Sequence, residues 1–251
     1  MAAALLVLGA LAGWEALVRA EVVDALLLPA PTDVARALWS DRAILAEDLA
    51  VTGGEVTLGL AAAIALGAAL GFGMHLFTPV RRALRPLVIG SQAVPIPVIA
   101  PLFILVLGFG LAPKVLMVAL VCFFPVTINL YDGLRDVDPD ARKLLRSLDA
   151  SRWQRLRLLE APSALPTTFT GIKVAAAVAV IGAVFAEWAG SDRGLGHTLL
   201  IANGQLETAR AFAATFLLFA LAVALYGLFA LLERRVVHWT PRTAPPSQGA
   251  P

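Results

Sequence analysis

Six stretches of about 20 mostly apolar residues, at roughly 2 to 18, 53 to 77, 87 to 107, 113 to 131, 167 to 190 and 210 to 232, constrain this chain more than any other feature. The hydrocarbon core of a bilayer is about 30 Å thick and an α-helix rises about 1.5 Å per residue, so each stretch is long enough to cross. Backbone polar groups in lipid must be satisfied within their own segment, which makes each crossing a helix; the alternating ten-residue strands of a membrane barrel are absent. With 59% hydrophobic and 15% charged residues and a mean hydropathy of +0.81, the 251-residue chain reads as an all-α integral membrane protein with about six transmembrane helices. Glu15 interrupts the first stretch, and no positive segment precedes it as in a cleaved signal peptide.

Arginine and lysine are distributed unevenly between the connecting segments. Thirteen lie in 81 to 85, 132 to 166 and 234 to 242, against six in the other connections. The positive-inside rule then places both termini and the segment 132 to 166 in the cytoplasm. The segment 19 to 52 lies outside, and its "LLLPAPTDVARAL" reads as a Pro-bounded turn followed by a short amphipathic surface helix. Residues 1 to 240 form one membrane domain, and the Pro-rich 241 to 251 is expected to be a disordered cytoplasmic tail. A net charge of +2 gives no reason to expect nucleic acid, and Cys122, the single cysteine, reads as a small core residue.

The cytoplasmic segment carries helix signals of its own. Asp138 and Pro139 suit a cap and a first turn, and Asp149-Ala150 break that helix. Ser151 with Gln154 forms a capping-box pattern that starts a second helix, and Pro162 and Pro166 are expected to end it before the next span. Trp153, Leu156 and Leu159 recur at spacings of three beside Arg152, Arg155 and Arg157. Such a ridge with a basic flank can lie on anionic headgroups or dock a cytoplasmic partner.

The same residues resemble the "EAA" loop of binding-protein-dependent ABC importer permeases. Pro162 matches the terminal proline of that motif and Leu159 its isoleucine. Lys143-Leu144-Leu145 stand for EAA, Asp149 for its glycine and Ala161 for its leucine. If the bend is left-handed, aspartate tolerates it less well than glycine but better than most residues. The likeness continues through "LLLPAPTDV", Thr52, Glu55 and Gly59 as T-x-x-E-x-x-x-G, "QAVPIPVIAPLFILVLGFG", "FFPV", "DGLRDVDP", "EWAGSDRGLG" and "LERRVVHW". It is similar to the nitrate, sulfonate and taurine branch, and within it to permeases for thiamine precursors such as hydroxymethylpyrimidine.

That resemblance implies a type I ABC importer permease fold and a prokaryotic inner-membrane location. It also implies a cytoplasmic ATPase dimer docked on a coupling helix, an extracytoplasmic solute-binding protein, and a second permease copy. Coupling falls to Asp149, Ala150, Ser151, Arg152, Trp153, Gln154, Leu156, Leu159 and Pro162. The chain has no GxxxxGK(S/T) loop, so it is expected not to be an enzyme, with ATP and magnesium bound by the partner and no cofactor of its own.

Other residues qualify by cost alone. Polar groups in spans usually face a bundle interior, which singles out Gln92, Asn129 and Glu187 for the translocation path. Lys173 and Glu187 fall about 40° apart on a helix and about 21 Å along it, which suggests either one face bordering the path or a paired subunit with Glu187 near an outer gate, or two residues resting at headgroup level. Pro95, Pro97 and Pro101 predict a bent or broken third span. His75, His197 and His238 lack ligand spacing, so no metal site is expected. A stand-alone secondary transporter is the competing class, but the middles of the spans are nearly free of the coupling acids such proteins use.

Overall fold

The computed structural model describes residues 2–239. The apolar stretches fold into helices, the third of them as two, in the order α1 (Ala2–Arg19), α2 (Pro31–Ser40), α3 (Arg42–Leu76), α4 (Thr78–Gly90), α5 (Ile96–Leu107), α6 (Leu111–Arg135), α7 (Pro139–Ser147), α8 (Arg152–Arg155), α9 (Ala161–Gly190), α10 (Leu195–Gly204) and α11 (Thr208–Val236). The expected surface helix after "LLLP" is α2, with Pro31 in its first turn and Asp33 near its positive end. The tail 241 to 251 lies outside the described residues.

The core is a layer of three helices, α3, α6 and α9, with α11 packed on α9. Without a strong hydrophobic drive between helices in lipid, close approach rests on small residues. Helix α3 supplies them one turn apart as Gly59, Ala63, Gly67 and Gly71, all buried. A methyl group added at Gly59 would sit 2.4 Å from Val118 Cβ, and one at Gly67 would sit 2.8 Å from Val126 Cβ. Helix α9 offers Ala175, Ala179, Gly182 and Ala186 to the other side of α6.

Two sequence expectations need correcting. Among the described residues four helices are long and apolar enough to cross a membrane, and a fifth crossing appears only if α4 and α5 count as one broken span. That third expected span, 87 to 107, is broken, as Pro95, Pro97 and Pro101 predict: α4 and α5 meet at 105°, with a short 3-10 turn and the extended Val94 and Pro95 between them. The cause is local, because Pro95 and Pro97 lack N–H donors and each disfavours helical backbone in the residue before it. Finally, Pro162 and Pro166 do not end the cytoplasmic helix. Residues Arg152–Gly190 run on as one helix of 39 residues. A π-turn over Leu156–Glu160 absorbs Pro162, with the Ala161 N–H donating to the Leu156 carbonyl five residues back. Thr170 Oγ1 donates to the Pro166 carbonyl at 3.1 Å, adding a side-chain bond beside the second proline.

Candidate functional site

Two polar sites lie at opposite ends of α9. At the first, α7 begins on Asp138, whose side chain accepts from Asp140 N. It ends on Asp149 in the left-handed region at φ 53°. Asp149 N–H donates to the Arg146 carbonyl and Ala150 N–H to the Leu145 carbonyl, the paired bonds of a Schellman motif. Ser151 and Gln154 then form the complete capping box that opens α8. Arg155 Nη1 donates to the Ala150 carbonyl at 2.7 Å, closing the bend from the far side.

Because glycine carries no Cβ penalty in the left-handed region, Asp149→Gly is expected to be neutral, or to stabilise the loop by up to about 1 kcal/mol. Asp149→Val should cost about 1 to 2 kcal/mol at the same backbone. Thermal unfolding of the two purified variants tests this; valine at or above glycine would exclude the left-handed bend.

The expected ridge divides. Trp153 is 66% exposed, whereas Leu156 is 4% exposed and packs with Leu130, Leu134 and Ala164 inside the protein. Leu159 is half-buried, Pro162 lies in the first turn of α9, and Ala150 is half-buried at the bend. The outward apolar residues are therefore Leu144, Leu148, Trp153 and Leu158. Arg152 is exposed and donates to the Leu76 carbonyl, tying α8 to the end of α3.

Glu160 fixes this loop, although no local sequence signal marks it. Buried in the π-turn, its carboxylate takes Arg142 Nε at 3.0 Å from α7 and meets His75 Nε2 at 2.8 Å from α3. Arg142 also donates to the Leu134 carbonyl. An intramolecular acid that collects α3, α6, α7 and α9 sets the loop's position relative to the helix bundle.

At the other end, Glu187 is 1% exposed. One carboxylate oxygen accepts from Thr52 Oγ1 at 2.6 Å; the other accepts from Gly196 N at 2.6 Å and His197 N at 3.1 Å. Thr52 Oγ1 in turn accepts from Leu195 N, and Asp48 accepts from Gly194 N and the Thr198 hydroxyl. An acid at these N–H groups complements the positive end of α10. Gly194 is at φ 110°, and a Cβ there would lie 2.4 Å from Glu187 Oε1, so only glycine fits this turn. Beside it Lys114 Nζ bridges Glu55 at 2.7 Å and Ser191 at 2.6 Å, at the wall of a cavity of about 550 Å³ that Phe109 and Asp192 also line.

The remaining path residues are not gathered with Glu187. Gln92 is exposed beside a separate cavity of about 280 Å³ between the turn that follows α4, α5 and α6. Asn129 donates to the Pro125 carbonyl at 2.8 Å and packs on Gly171, in the contact of α6 with α9. Lys173 pairs with Glu233 of α11 at 2.6 Å and so does not share an environment with Glu187. Among the described residues no group of three His, Cys, Asp or Glu is placed to hold a metal.

A helical bundle with a capped, two-helix loop pinned to its end is matched over residues 61–238 by the family of binding-protein-dependent transport system inner membrane components. The chain belongs to that family. The permease is 33% identical over 214 residues to the formylaminopyrimidine transport permease protein ThiX of Halalkalibacterium halodurans, covering 85% of this chain and 86% of that one. It is 32% identical over 235 residues to a putative aliphatic sulfonates transport permease protein, SsuC of Bacillus subtilis, covering 90% and 83%. Among solved structures, the inward-facing MetNI methionine ABC transporter superposes with a TM-score of 0.68 at 15% identity, covering 77% of the permease and 96% of that chain. The permease is thus a membrane-embedded, type I subunit of an ABC importer, in a group of relatives that are themselves transport permeases.

Proposed function

We propose that the permease forms one half of a solute path with a second copy of itself, and that α7 and α8 dock on a cytoplasmic ATPase that binds ATP and magnesium. The observation that carries this reading is the construction of the loop. Its backbone is fixed by a Schellman motif, a capping box and Glu160, while Leu144, Leu148 and Trp153 are left facing outward. A rigid frame that exposes a large aromatic anchor has the composition of an interface hot spot. With the loop in the cytoplasm, the end of α11 lies there too, and a solute-binding protein meets the opposite end, near α10.

Trp153→Asp is the direct test. Uptake and binding-protein-stimulated ATP hydrolysis in the assembled transporter should fall at least about tenfold, as for loss of a hot-spot residue. The thermal midpoint of the isolated permease should hardly change, because the side chain is exposed. Full coupling in the variant would remove the docking role.

For the solute, the relation to a formylaminopyrimidine permease favours a small thiamine precursor of the hydroxymethylpyrimidine kind. The cognate binding protein, screened for ligand-induced stabilisation against hydroxymethylpyrimidine, thiamine, riboflavin, taurine, alkanesulfonates and nitrate, should respond to the pyrimidine. A response to a sulfonate alone would transfer the assignment to the sulfonate branch, whose relative covers the chain equally well.

A further inference from the structure

Helix α4 has a charge pattern that neither the coupling loop nor the buried acid at the far end of α9 explains. It starts at the loop end of the bundle, two residues after Leu76, whose carbonyl Arg152 contacts. Val80, Leu84 and Val88 recur at spacings of four and turn toward the protein, Val80 against Gly73 of α3, Leu84 half-buried, and Val88 fully into the core. The outward side carries Arg82 and Arg85, with Arg81 at its edge. Among the described residues none of the three arginines forms an ion pair or a side-chain hydrogen bond, and residues 240 to 251 include no Asp or Glu that could supply one.

Arg81 and Arg85 stand four apart on one face of α4, a like-charge pair that an anion from outside would relieve. The rest of the outward surface excludes a purely aqueous setting: Leu87 and Ile89 are exposed on the same helix, Phe77 is exposed just before it, and α4 bends by 105° into α5. Arginines beside exposed apolar residues, on a short helix that bends sharply into α5, match an element lying at the boundary of headgroups and acyl chains.

We propose that α4 is a binding surface for anionic phospholipid headgroups, with Arg81, Arg82 and Arg85 facing the phosphates and Leu87 and Ile89 entering the acyl region. The charge complementarity selects an anionic lipid, since α4 contains no carboxylate to receive the ammonium of a zwitterionic one. This surface is separate from the docking residues on α7 and α8, so it stands whether or not those residues bind an ATPase.

Detergent-purified permease, titrated with short-chain phosphatidylglycerol or phosphatidylcholine, provides the test through its thermal midpoint. Phosphatidylglycerol should raise the midpoint saturably and phosphatidylcholine should not. Arg82→Gln/Arg85→Gln, at two exposed positions, should move half-saturation by at least about tenfold. Raising salt from about 50 to about 500 mM should weaken the wild-type response in the same direction. As a control on folding, Arg234→Gln/Arg235→Gln at the end of α11 should leave the response unchanged. An equal response to both lipids, or an undiminished response in the α4 variant, would overturn the proposal. So would an α4 variant that keeps the lipid response but no longer purifies with the ATPase or with a second permease copy.

Discussion

Glu187→Ala is expected to lower the stability of the purified permease by about 3 kcal/mol. The side chain accepts from Thr52, Gly196 and His197 in a site closed to water, and removing it leaves three donors without a partner. Each lost bond is worth about 1 kcal/mol, in membrane helices as in water. For a chain of this size the loss corresponds to a fall in thermal midpoint on the order of 10 °C. Glu187→Gln keeps one acceptor oxygen but turns an NH2 group toward another donor, so about half of the loss should remain. Scanning calorimetry or a thermofluor measurement separates these cases, and an alanine variant within about 2 °C of wild type would show that α10 is held by Asp48 and packing instead. Uptake measured below the variants' unfolding range then addresses the gate. If Glu187→Gln transports normally there, the acid organises α10 and takes no part in gating.

Glu160→Gln should have the second large effect, on coupling more than on stability. Its carboxylate holds Arg142 of α7 and His75 of α3, with little exposure on either side of the His75 contact. Hydrogen bonds to charged groups contribute about 1.5 to 3 kcal/mol, and the amide retains only part of that. Freed from this anchor, α7 can shift relative to α9 while its own caps keep it helical. We expect binding-protein-stimulated ATP hydrolysis in proteoliposomes to fall about fivefold or more, together with faster proteolysis between residues 136 and 151. Glu160→Asp should recover part of the coupling. Wild-type coupling in Glu160→Gln would mean that the Schellman motif and capping box position the loop unaided.

What the sequence reveals about this site depends on the range of each interaction. The Asp138 cap, the bend at Asp149 and the Ser151–Gln154 box involve partners close in sequence, and all three are readable from residue type. The inward turn of Leu156 is not, because the spacing of three residues assumed regular α-helix and the π-turn at Leu156–Glu160 changes the register. Reading Pro162 as a stop failed for the same reason. Thr52 and Glu187 are 135 positions apart, so their bond could not be inferred from local pattern. Glu55 and Lys114 were nearer to recognition: an acid within one span and a lysine at the start of another are costly in lipid unless paired, and they pair with each other.

The uninterrupted helix from Arg152 to Gly190 also sets a mechanical ratio. Trp153 and Glu187 stand about 50 Å apart along one rod, at about 1.5 Å per residue. A tilt of about 5° at the loop therefore displaces the far end by about 4 Å, more than the length of any hydrogen bond in the Glu187 cluster. Small rotations of Trp153 must then either carry α3 and α10 along as a single body or rupture the Thr52 contact. The rod's hydrogen-bond ladder is loosened at the π-turn and again at Pro166, so the stiffness of that short stretch governs how much of a push at one membrane face arrives at the other.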